Sequence, residues 1–136
     1  MPETVVIALG SNLGDRRMNL RRALHEIADV VTILRISTVH ETEPVGAPAG
    51  SPSFLNMVLA GFSSLEPLRL MRALLAIESK LGRERSERNA PRTIDLDLIL
   101  YGRVAMQTNE LTLPHPRYQE RDFVMKPMRE VYDVPE

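Results

Sequence analysis

Cysteine and tryptophan are absent from the 136-residue chain, and only three tyrosines and three phenylalanines supply its aromatic side chains. Without cysteine the protein has no disulfide framework, no thiolate metal site and no thiol nucleophile. A run of about eighteen apolar residues is also lacking, which argues against a membrane-spanning helix. The apolar segment that begins at Thr4 leaves no room before it for a secretion signal, so we expect a cytoplasmic protein.

A strong charge imbalance is missing too, because the formal net charge is −1. A chain this close to neutrality is a poor candidate for binding nucleic acid over a broad face. With 43 % hydrophobic and 26 % charged residues, its composition is that of a globular protein. We therefore expect one domain over residues 1–136 that is monomeric and binds small molecules rather than nucleic acid or membranes.

Hydrophobic periodicity predicts alternating strands and helices. The first predicted elements are strand Val5–Leu9, a helix capped by Asp15 with apolar positions from Leu20 to Val31, and strands Thr32–Glu41 and Phe54–Phe62. They are followed by a helix that runs from a predicted capping box at Ser63–Glu66 to Gly82, by strand Thr93–Tyr101, and by a short helix after Arg121. The order β-α-β-β-α-β predicts an α+β, ferredoxin-like fold, an antiparallel sheet with helices on one face plus short C-terminal elements.

Two carboxylates on the last predicted strand form the first candidate site. Side chains alternate along a strand, so Asp95 and Asp97 face one way while Ile94, Leu96, Leu98 and Leu100 face the other. Their Cα atoms are about 6.5–7 Å apart, close enough for both side chains to reach a metal or a metal pair. Oxygen ligands without cysteine favour Mg²⁺. The solvated face of an edge strand explains this segment equally well.

Arginine is concentrated just before those carboxylates. Four arginines fall within ten residues: Arg83, Arg85, Arg88 and Arg92. One guanidinium group can bind two phosphate oxygens at once, so an arginine-rich segment beside a strand that binds Mg²⁺ could hold a polyphosphate. Pairing of the arginines with Glu84 and Glu87 in a solvated turn is the alternative. Taken together, the arginines and carboxylates favour a site for a Mg²⁺-bound nucleoside triphosphate. His115, which lies between two prolines, is a further candidate for ligand contact.

Several segments spread over nearly the whole chain resemble the 6-hydroxymethyl-7,8-dihydropterin pyrophosphokinase family, whose members transfer pyrophosphate from ATP to a pterin alcohol. The most specific of them is Pro-Arg-Thr-Ile-Asp-Leu-Asp at Pro91–Asp97. The others keep the order and spacing of the family, and they are Ala8–Asp15, Glu41–Gly46, Phe54–Asn56, Ile77–Glu78, Gly82–Arg85, Leu113–His115 and Arg121–Val124. The fold of the family is ferredoxin-like, in agreement with the element order.

The resemblance implies that Asp95 and Asp97 bind two Mg²⁺ ions that bridge the triphosphate of the co-substrate ATP. The residues implied on the ATP side are Glu78, Arg83, Arg92, Thr112, His115 and Arg121. The catalytic set implied by the resemblance is Arg83, Arg85, Arg88, Arg92, Asp95 and Asp97, with Arg85 and Arg88 closing over the phosphates. The pterin would stack between Phe54 and Phe123. Its edge would be recognised by Asn56 and by main-chain groups near Thr42, Pro44 and Val45, with Asp95 also on the substrate side.

The reaction implied is in-line attack of the pterin hydroxymethyl oxygen on the β-phosphorus of ATP, with AMP as the leaving group. This chain departs from the pattern at three positions. Asn89 stands where some members have an aromatic residue, Phe54 where tyrosine is common, and Glu110 where some relatives have a basic residue. The rival interpretations are a ferredoxin-like RNA-binding module and an inactive member of the family. The first would require exposed aromatic residues on central strands and a basic sheet face.

Overall fold

A central antiparallel sheet organises the chain in the computed structural model, which describes residues 3–43, 50, 52–82 and 93–133. Its strands are β1 (Glu3–Ser11), β2 (Thr32–Ile36), β3 (His40–Thr42), β4 (Phe54–Ser63) and β5 (Asp95–Tyr101). The other elements are α1 (Arg16–Ile27), α2 (Pro67–Lys80), the strand pair β6 (Met106–Gln107) and β7 (Thr112–Leu113), a 3₁₀ turn (Tyr118–Glu120) and α3 (Asp122–Val131). The α+β class predicted from the sequence is confirmed.

Strand β1 lies in the middle of the sheet, whose order is β2-β4-β1-β5, while β3 pairs with β4. Each of these pairings is antiparallel. Val5, Val6 and Ile7 of β1 are fully buried, and a continuous apolar run of this kind is typical of a strand that is covered on both faces. No helix in the described part of the chain combines the length and hydrophobicity that a membrane span requires.

The two faces of the sheet carry different helices. Helices α1 and α2 cover one face, where Leu20 and Leu74 join a core that includes Ile7 and Leu96. Helix α3 covers the other face, where Met128 packs with residues that include Val6. The two helices of the predicted β-α-β-β-α-β order thus share one face as predicted, while the predicted C-terminal helix, which the sequence did not assign to a face, covers the other. A strand that is apolar on both faces needs cover on both, and α3 supplies the second layer.

The predicted strand Thr32–Glu41 is interrupted at Ser37. The Ser37 amide donates to the Val58 carbonyl, and the Ser37 hydroxyl accepts from the Val58 amide at 2.9 Å. The Ser37 hydroxyl takes the place of the main-chain carbonyl that would accept from the Val58 amide in a regular ladder. This interruption separates β2 from β3. Helix α1 ends at Ile27 rather than at Val31.

Of the two predicted helix N-caps, one is confirmed and the other is wrong. Asp15 caps α1 as predicted, because its side chain accepts from the Met18 amide. The predicted capping box at Ser63–Glu66 is wrong, since α2 follows Glu66 without a side-chain cap. The Ser63 hydroxyl instead donates to the Val30 carbonyl and accepts from the Leu65 amide. Ser63 thus joins the end of β4 to the turn after α1.

The alternation along β5 changes at a bulge. The register with β1 shifts between Val6 and Ile7, which pair with Leu100 and Leu98. Ile99 and Leu100 therefore both pack on the α3 face. The prediction that Leu100 shares a face with Leu96 and Leu98 is wrong, because one extra residue in a strand reverses the side-chain direction beyond it.

A polar cluster joins the end of α3 to the segment between β2 and β3. Glu130 accepts from the amide of Thr38 at 2.8 Å and from its hydroxyl, and Glu130 Oε2 is 2.6 Å from Nε2 of His40. The Thr38 amide, followed by His40, lowers the pKa of Glu130 below its ordinary value of 4.5. The unfolded chain therefore binds more protons in acid, and the stabilisation from Glu130 is lost as the pH falls from 4.5 through the lowered pKa.

We expect Glu130→Gln to make the stability of the protein less dependent on pH across that window. The measurement is the thermal unfolding midpoint of wild type and variant between about pH 3 and pH 6. Glu120→Gln, which removes an exposed carboxylate elsewhere, is the control and should keep the wild-type slope. An unchanged slope in Glu130→Gln would contradict the assignment.

Candidate functional site

A cleft of about 210 Å³ opens on the α3 face of the sheet. We call it the first cleft, and its lining residues are Ala8, Leu9, Gly10, Thr42, Glu43, Phe54, Asn56, Asp95, Asp97, Arg121 and Phe123. Five residues that the sequence assigned to the substrate meet here: Thr42, Phe54, Asn56, Asp95 and Phe123. They come from β3, β4, β5 and the start of α3, so only the folded sheet brings them together.

The wall of the first cleft depends on a glycine that the sequence analysis did not assign to it. A Cβ atom at Gly10 would lie 3.1 Å from Oδ1 of Asn56 and 3.5 Å from the ring of Phe54. Asn56 is buried, and its Nδ2 donates to Oγ1 of Thr42 at 2.7 Å. This hydrogen bond sets the orientation of the amide and leaves Oδ1 on the side of Gly10. Only the pairing of Gly10 with Asn56 across β1 and β4 reveals this role.

The two aspartates line the first cleft from β5, on one face of the strand as their spacing predicted. Across the ladder, Asp95 pairs with Gly10 and Asp97 pairs with Ala8. Small residues opposite both carboxylates leave the space in front of them open. The side chain of Asp97 is 45 % exposed, so its oxygens are accessible to a ligand.

A second cleft of about 420 Å³ lies on the other side of Asp97. Thr112 and His115, both predicted on the ATP side, line it. Nδ1 of His115 donates to the Pro116 carbonyl at 2.9 Å, and Nε2 lies 3.9 Å from Oδ1 of Asp97. The amide of His115 also donates to the Ile99 carbonyl of β5, which holds the ring beside the aspartates. Asp97 thus belongs to both clefts.

One wall of the second cleft is apolar and was not recognised from the sequence. Met71, Leu74 and Leu75 of α2 form part of it, together with Leu96 and Leu111. The hydrophobic periodicity of this segment predicts a helix but no cleft beside it. Leu75, however, is 43 % exposed, which shows that the apolar stripe of α2 is wider than the core requires.

An ion pair lies at the rim of the second cleft. Arg72 of α2 donates from Nε and Nη2 to the two carboxylate oxygens of Glu110, at 3.1 and 2.9 Å. These hydrogen bonds lower the pKa of Glu110 below its ordinary value. Glu110 stands where some relatives have a basic residue, and its negative charge is neutralised here by Arg72 from α2.

Two residues predicted on the ATP side lie elsewhere. Arg121 lines the first cleft, where its guanidinium carbon is 5.7 Å from the centre of the Phe123 ring. Glu78 lines neither cleft, because it is buried under β5 with an exposed fraction of 3 %. Its Oε2 accepts from the Leu96 amide at 2.7 Å, between the two aspartates in sequence.

Part of the predicted site lies outside the described residues. This part consists of Pro44, Val45, Arg83, Arg85, Arg88 and Arg92, together with Asn89. Among the residues that are described, no group of three or more histidine, aspartate or glutamate side chains could hold a metal ion by itself.

The chain is similar to known proteins in sequence and in fold. The family model of 7,8-dihydro-6-hydroxymethylpterin-pyrophosphokinase (HPPK) matches residues 6–133. The 2-amino-4-hydroxy-6-hydroxymethyldihydropteridine pyrophosphokinase of Bacillus subtilis is 44 % identical over 96 % of this chain and 79 % of its own length. The enzyme of the same name from Aquifex aeolicus is 36 % identical over 94 % of this chain.

Longer proteins also match. The folate synthesis bifunctional protein of Arabidopsis thaliana is 41 % identical over 93 % of this chain, which spans only 26 % of that protein. A crystal structure of HPPK-DHPS in complex with substrates aligns with a TM-score of 0.71 over 96 % of this chain and 40 % of that chain. At 11 % identity, the structural match shows a shared fold.

Proposed function

This chain belongs to the 7,8-dihydro-6-hydroxymethylpterin-pyrophosphokinase family, and we propose that its two clefts bind the two substrates of that reaction. The enzyme is a transferase of folate biosynthesis that moves pyrophosphate to the hydroxymethyl group of 6-hydroxymethyl-7,8-dihydropterin. ATP is the donor and AMP the leaving product. The observation that carries the assignment of the clefts is the position of Asp97, which lines both.

The first cleft is the proposed pterin site. Phe54 and Phe123 both line it and supply the aromatic faces on which a flat bicyclic ring stacks. Asn56, oriented by Thr42, presents a carbonyl oxygen to the amino edge of the ring. Pro44 and Val45, which lie outside the described residues, complete this side in the prediction from the family pattern. The hydroxymethyl group of a ring bound here can face the two aspartates.

The second cleft is the proposed nucleotide site. Its apolar wall of Met71, Leu74 and Leu75 fits a nucleobase, while Thr112 and His115 lie on the side of Asp97 where the phosphates would be placed. Arg83, Arg85, Arg88 and Arg92 are proposed, from the sequence pattern, to neutralise phosphate charge. Arg121 is proposed to contact phosphate from the first cleft. Since Glu78 is buried, we propose that it acts through β5 and not by touching nucleotide.

Two Mg²⁺ ions are the proposed metal cofactor. Two carboxylates on one strand face, completed by phosphate oxygens and water, form the ligand set that Mg²⁺ takes in enzymes that use ATP. Asp95 and Asp97 fit this requirement because both line the first cleft and Asp97 also reaches the second. When bound, Mg²⁺ would neutralise phosphate charge and lower the pKa of the attacking hydroxyl.

The contribution of the protein to the reaction is mainly positioning. The hydroxymethyl oxygen forms a bond to the β-phosphorus of ATP, and the bond from that phosphorus to the α,β-bridging oxygen breaks, so AMP leaves with the electron pair. In this proposal Phe54, Phe123 and Asn56 hold the pterin that carries the alcohol. The carboxylates of Asp95 and Asp97 lie at the phosphate end of the reaction path. Proton release goes to water in this proposal, with no side chain assigned as a base.

The detailed topology, the domain count, the oligomeric state and the location of the protein stay predictions. The sheet order β2-β4-β1-β5, with two helices on one face, supports a ferredoxin-like core to which β3 and the C-terminal elements are added. A single domain over residues 1–136, the monomeric state, the cytoplasmic location and the absence of a nucleic-acid partner are expectations from the sequence.

The test is an assay of AMP release with ATP, Mg²⁺ and 6-hydroxymethyl-7,8-dihydropterin. We expect AMP and the pyrophosphorylated pterin in equal amounts, and no AMP when either the pterin or Mg²⁺ is omitted. Release of AMP without the pterin would show hydrolysis in place of transfer. No AMP with all three components present would overturn the proposed function.

A further inference from the structure

We propose that Arg16 is a positioning residue for the pterin site, which it supports from the opposite face of the sheet. Together with Glu41 and Ser53 it forms a group that we call the Arg16 cluster. The inference rests on the proposed function, because it takes the first cleft as the pterin site. None of the three side chains lines that cleft.

The Arg16 cluster joins three elements. Nη1 of Arg16 donates to the Ser53 carbonyl at 2.9 Å, to the Ser53 hydroxyl at 3.0 Å and to Oε2 of Glu41 at 3.3 Å. The Ser53 hydroxyl in turn donates to the same carboxylate oxygen of Glu41. One guanidinium at the start of α1 thus holds the strand β3 and the residue just before β4.

The cluster lies directly behind the cleft. In the β3–β4 ladder, Thr42 pairs with Phe54, and Glu41 pairs with Leu55. Leu55 packs in the core under α1 and α2, whereas Thr42 and Phe54 line the first cleft on the other face. Because side chains alternate along a strand, the cluster holds the neighbours of the cleft residues and not the cleft residues themselves.

The ladder needs such support because it is short. Strand β3 has three residues, and within the described part of the chain it pairs with β4 alone. A ladder of this length adds little stability by itself. Among the residues that the structure describes, the ladder ends at the pair Thr42 and Phe54, and the cluster acts at this end. Asn12 adds a weaker tie to the same end, since its side-chain amide donates to the Pro52 carbonyl at 3.4 Å.

Charge also favours a specific role for Arg16. The Ser53 hydroxyl and the Arg16 guanidinium lower the pKa of Glu41, so it is a carboxylate at neutral pH. Loss of Arg16 removes the cation that is hydrogen-bonded to that carboxylate and frees the Ser53 main chain. Thr42 and Phe54 would then lose their fixed separation, and a ring bound between Phe54 and Phe123 would be held less tightly.

The experiment compares Arg16→Ala, Arg16→Lys and Glu41→Gln with wild type in steady-state kinetics. For Arg16→Ala we expect the KM for the pterin to rise about tenfold, the effect of losing one charge-assisted contact, with the KM for ATP and kcat nearly unchanged. Arg16→Lys keeps the charge without the planar donor group and should give an intermediate KM for the pterin. Glu41→Gln should shift it in the same direction by a smaller factor.

Arg22→Ala is the matched control, because Arg22 is exposed on the same helix, and it should match wild type. If Arg16→Ala does not fold, Arg16→Lys and Glu41→Gln carry the same test. Wild-type KM values for the pterin in the Arg16 and Glu41 variants would overturn the inference, as would an equal rise in the KM for ATP. A wild-type enzyme that releases no AMP would instead overturn the proposed function.

Discussion

Asp97→Asn is expected to lower the rate of AMP formation by at least about 10³-fold, because it removes several kcal/mol of charge stabilisation from the transferring group. Of the two aspartates proposed to bind Mg²⁺, Asp97 is the one that lines both clefts. Its side chain is 45 % exposed and lies on an edge strand, so asparagine fits there without disturbing the core. The loss should therefore appear in kcat and in Mg²⁺ dependence, while the folded structure is retained.

The control for this prediction is Asp29→Asn, which removes an exposed carboxylate in the turn after α1. Both variants should keep the circular dichroism spectrum and unfolding midpoint of the wild type. The kinetic comparison is made over a range of Mg²⁺ concentrations, and the Asp97→Asn variant should not recover at high Mg²⁺. Turnover within about tenfold of wild type would contradict the proposed role of Asp97 in metal binding, because a tenfold change in rate corresponds to only about 1.36 kcal/mol in the activation free energy.

Glu78→Ala is expected to lower the free energy of unfolding by about 3 kcal/mol, the cost of a buried amide left without its charged acceptor together with a small cavity. Glu78 is 3 % exposed, and its Oε2 accepts from the Leu96 amide at 2.7 Å. Strand β5 lies at the edge of the sheet, so this acceptor takes the place of a neighbouring strand. Leu96 stands between Asp95 and Asp97, which makes the position of both carboxylates depend on the same contact.

Glu78→Gln is the matched variant, because its carbonyl oxygen can still accept from the Leu96 amide. It should lose less stability than Glu78→Ala in chemical denaturation followed by circular dichroism. At a temperature where all variants are folded, the order of activity should be wild type, Glu78→Gln, Glu78→Ala. Equal stability of the alanine and glutamine variants would show that the hydrogen bond to Leu96 does not support β5. A direct nucleotide contact would instead raise the KM for ATP without any change in stability.

Much of the candidate site could be predicted because its signals are local in sequence. The alternation of a strand places Asp95 and Asp97 on one face, and the structure confirms it. Asp15 caps α1 because a side chain can reach the amide three residues later. The family pattern named Thr42, Phe54, Asn56 and Phe123, which do meet in one cleft. Their assignment to the pterin stays a prediction.

Other features depend on contacts between residues far apart in the chain, and sequence periodicity does not register them. The bulge that turns Leu100 toward α3 arises from its pairing with β1. The Ser37 hydroxyl interrupts a strand because the Val58 amide lies opposite it. Glu78, which the family pattern placed on the ATP side, is instead buried, and its carboxylate accepts from the Leu96 amide of β5.

The class of fold, the family, and the strand face that carries the two aspartates could thus be read from the amino-acid sequence, since each depends on residues within a few positions of one another or on the order and spacing of motifs along the chain. The fold was needed to show that α3 covers the second face, that Asp97 lines two clefts, and that Arg16 is hydrogen-bonded to Ser53, the residue before Phe54 of the first cleft. The physical reason is that these are packing relations between separate elements, which side-chain alternation and helical periodicity do not encode.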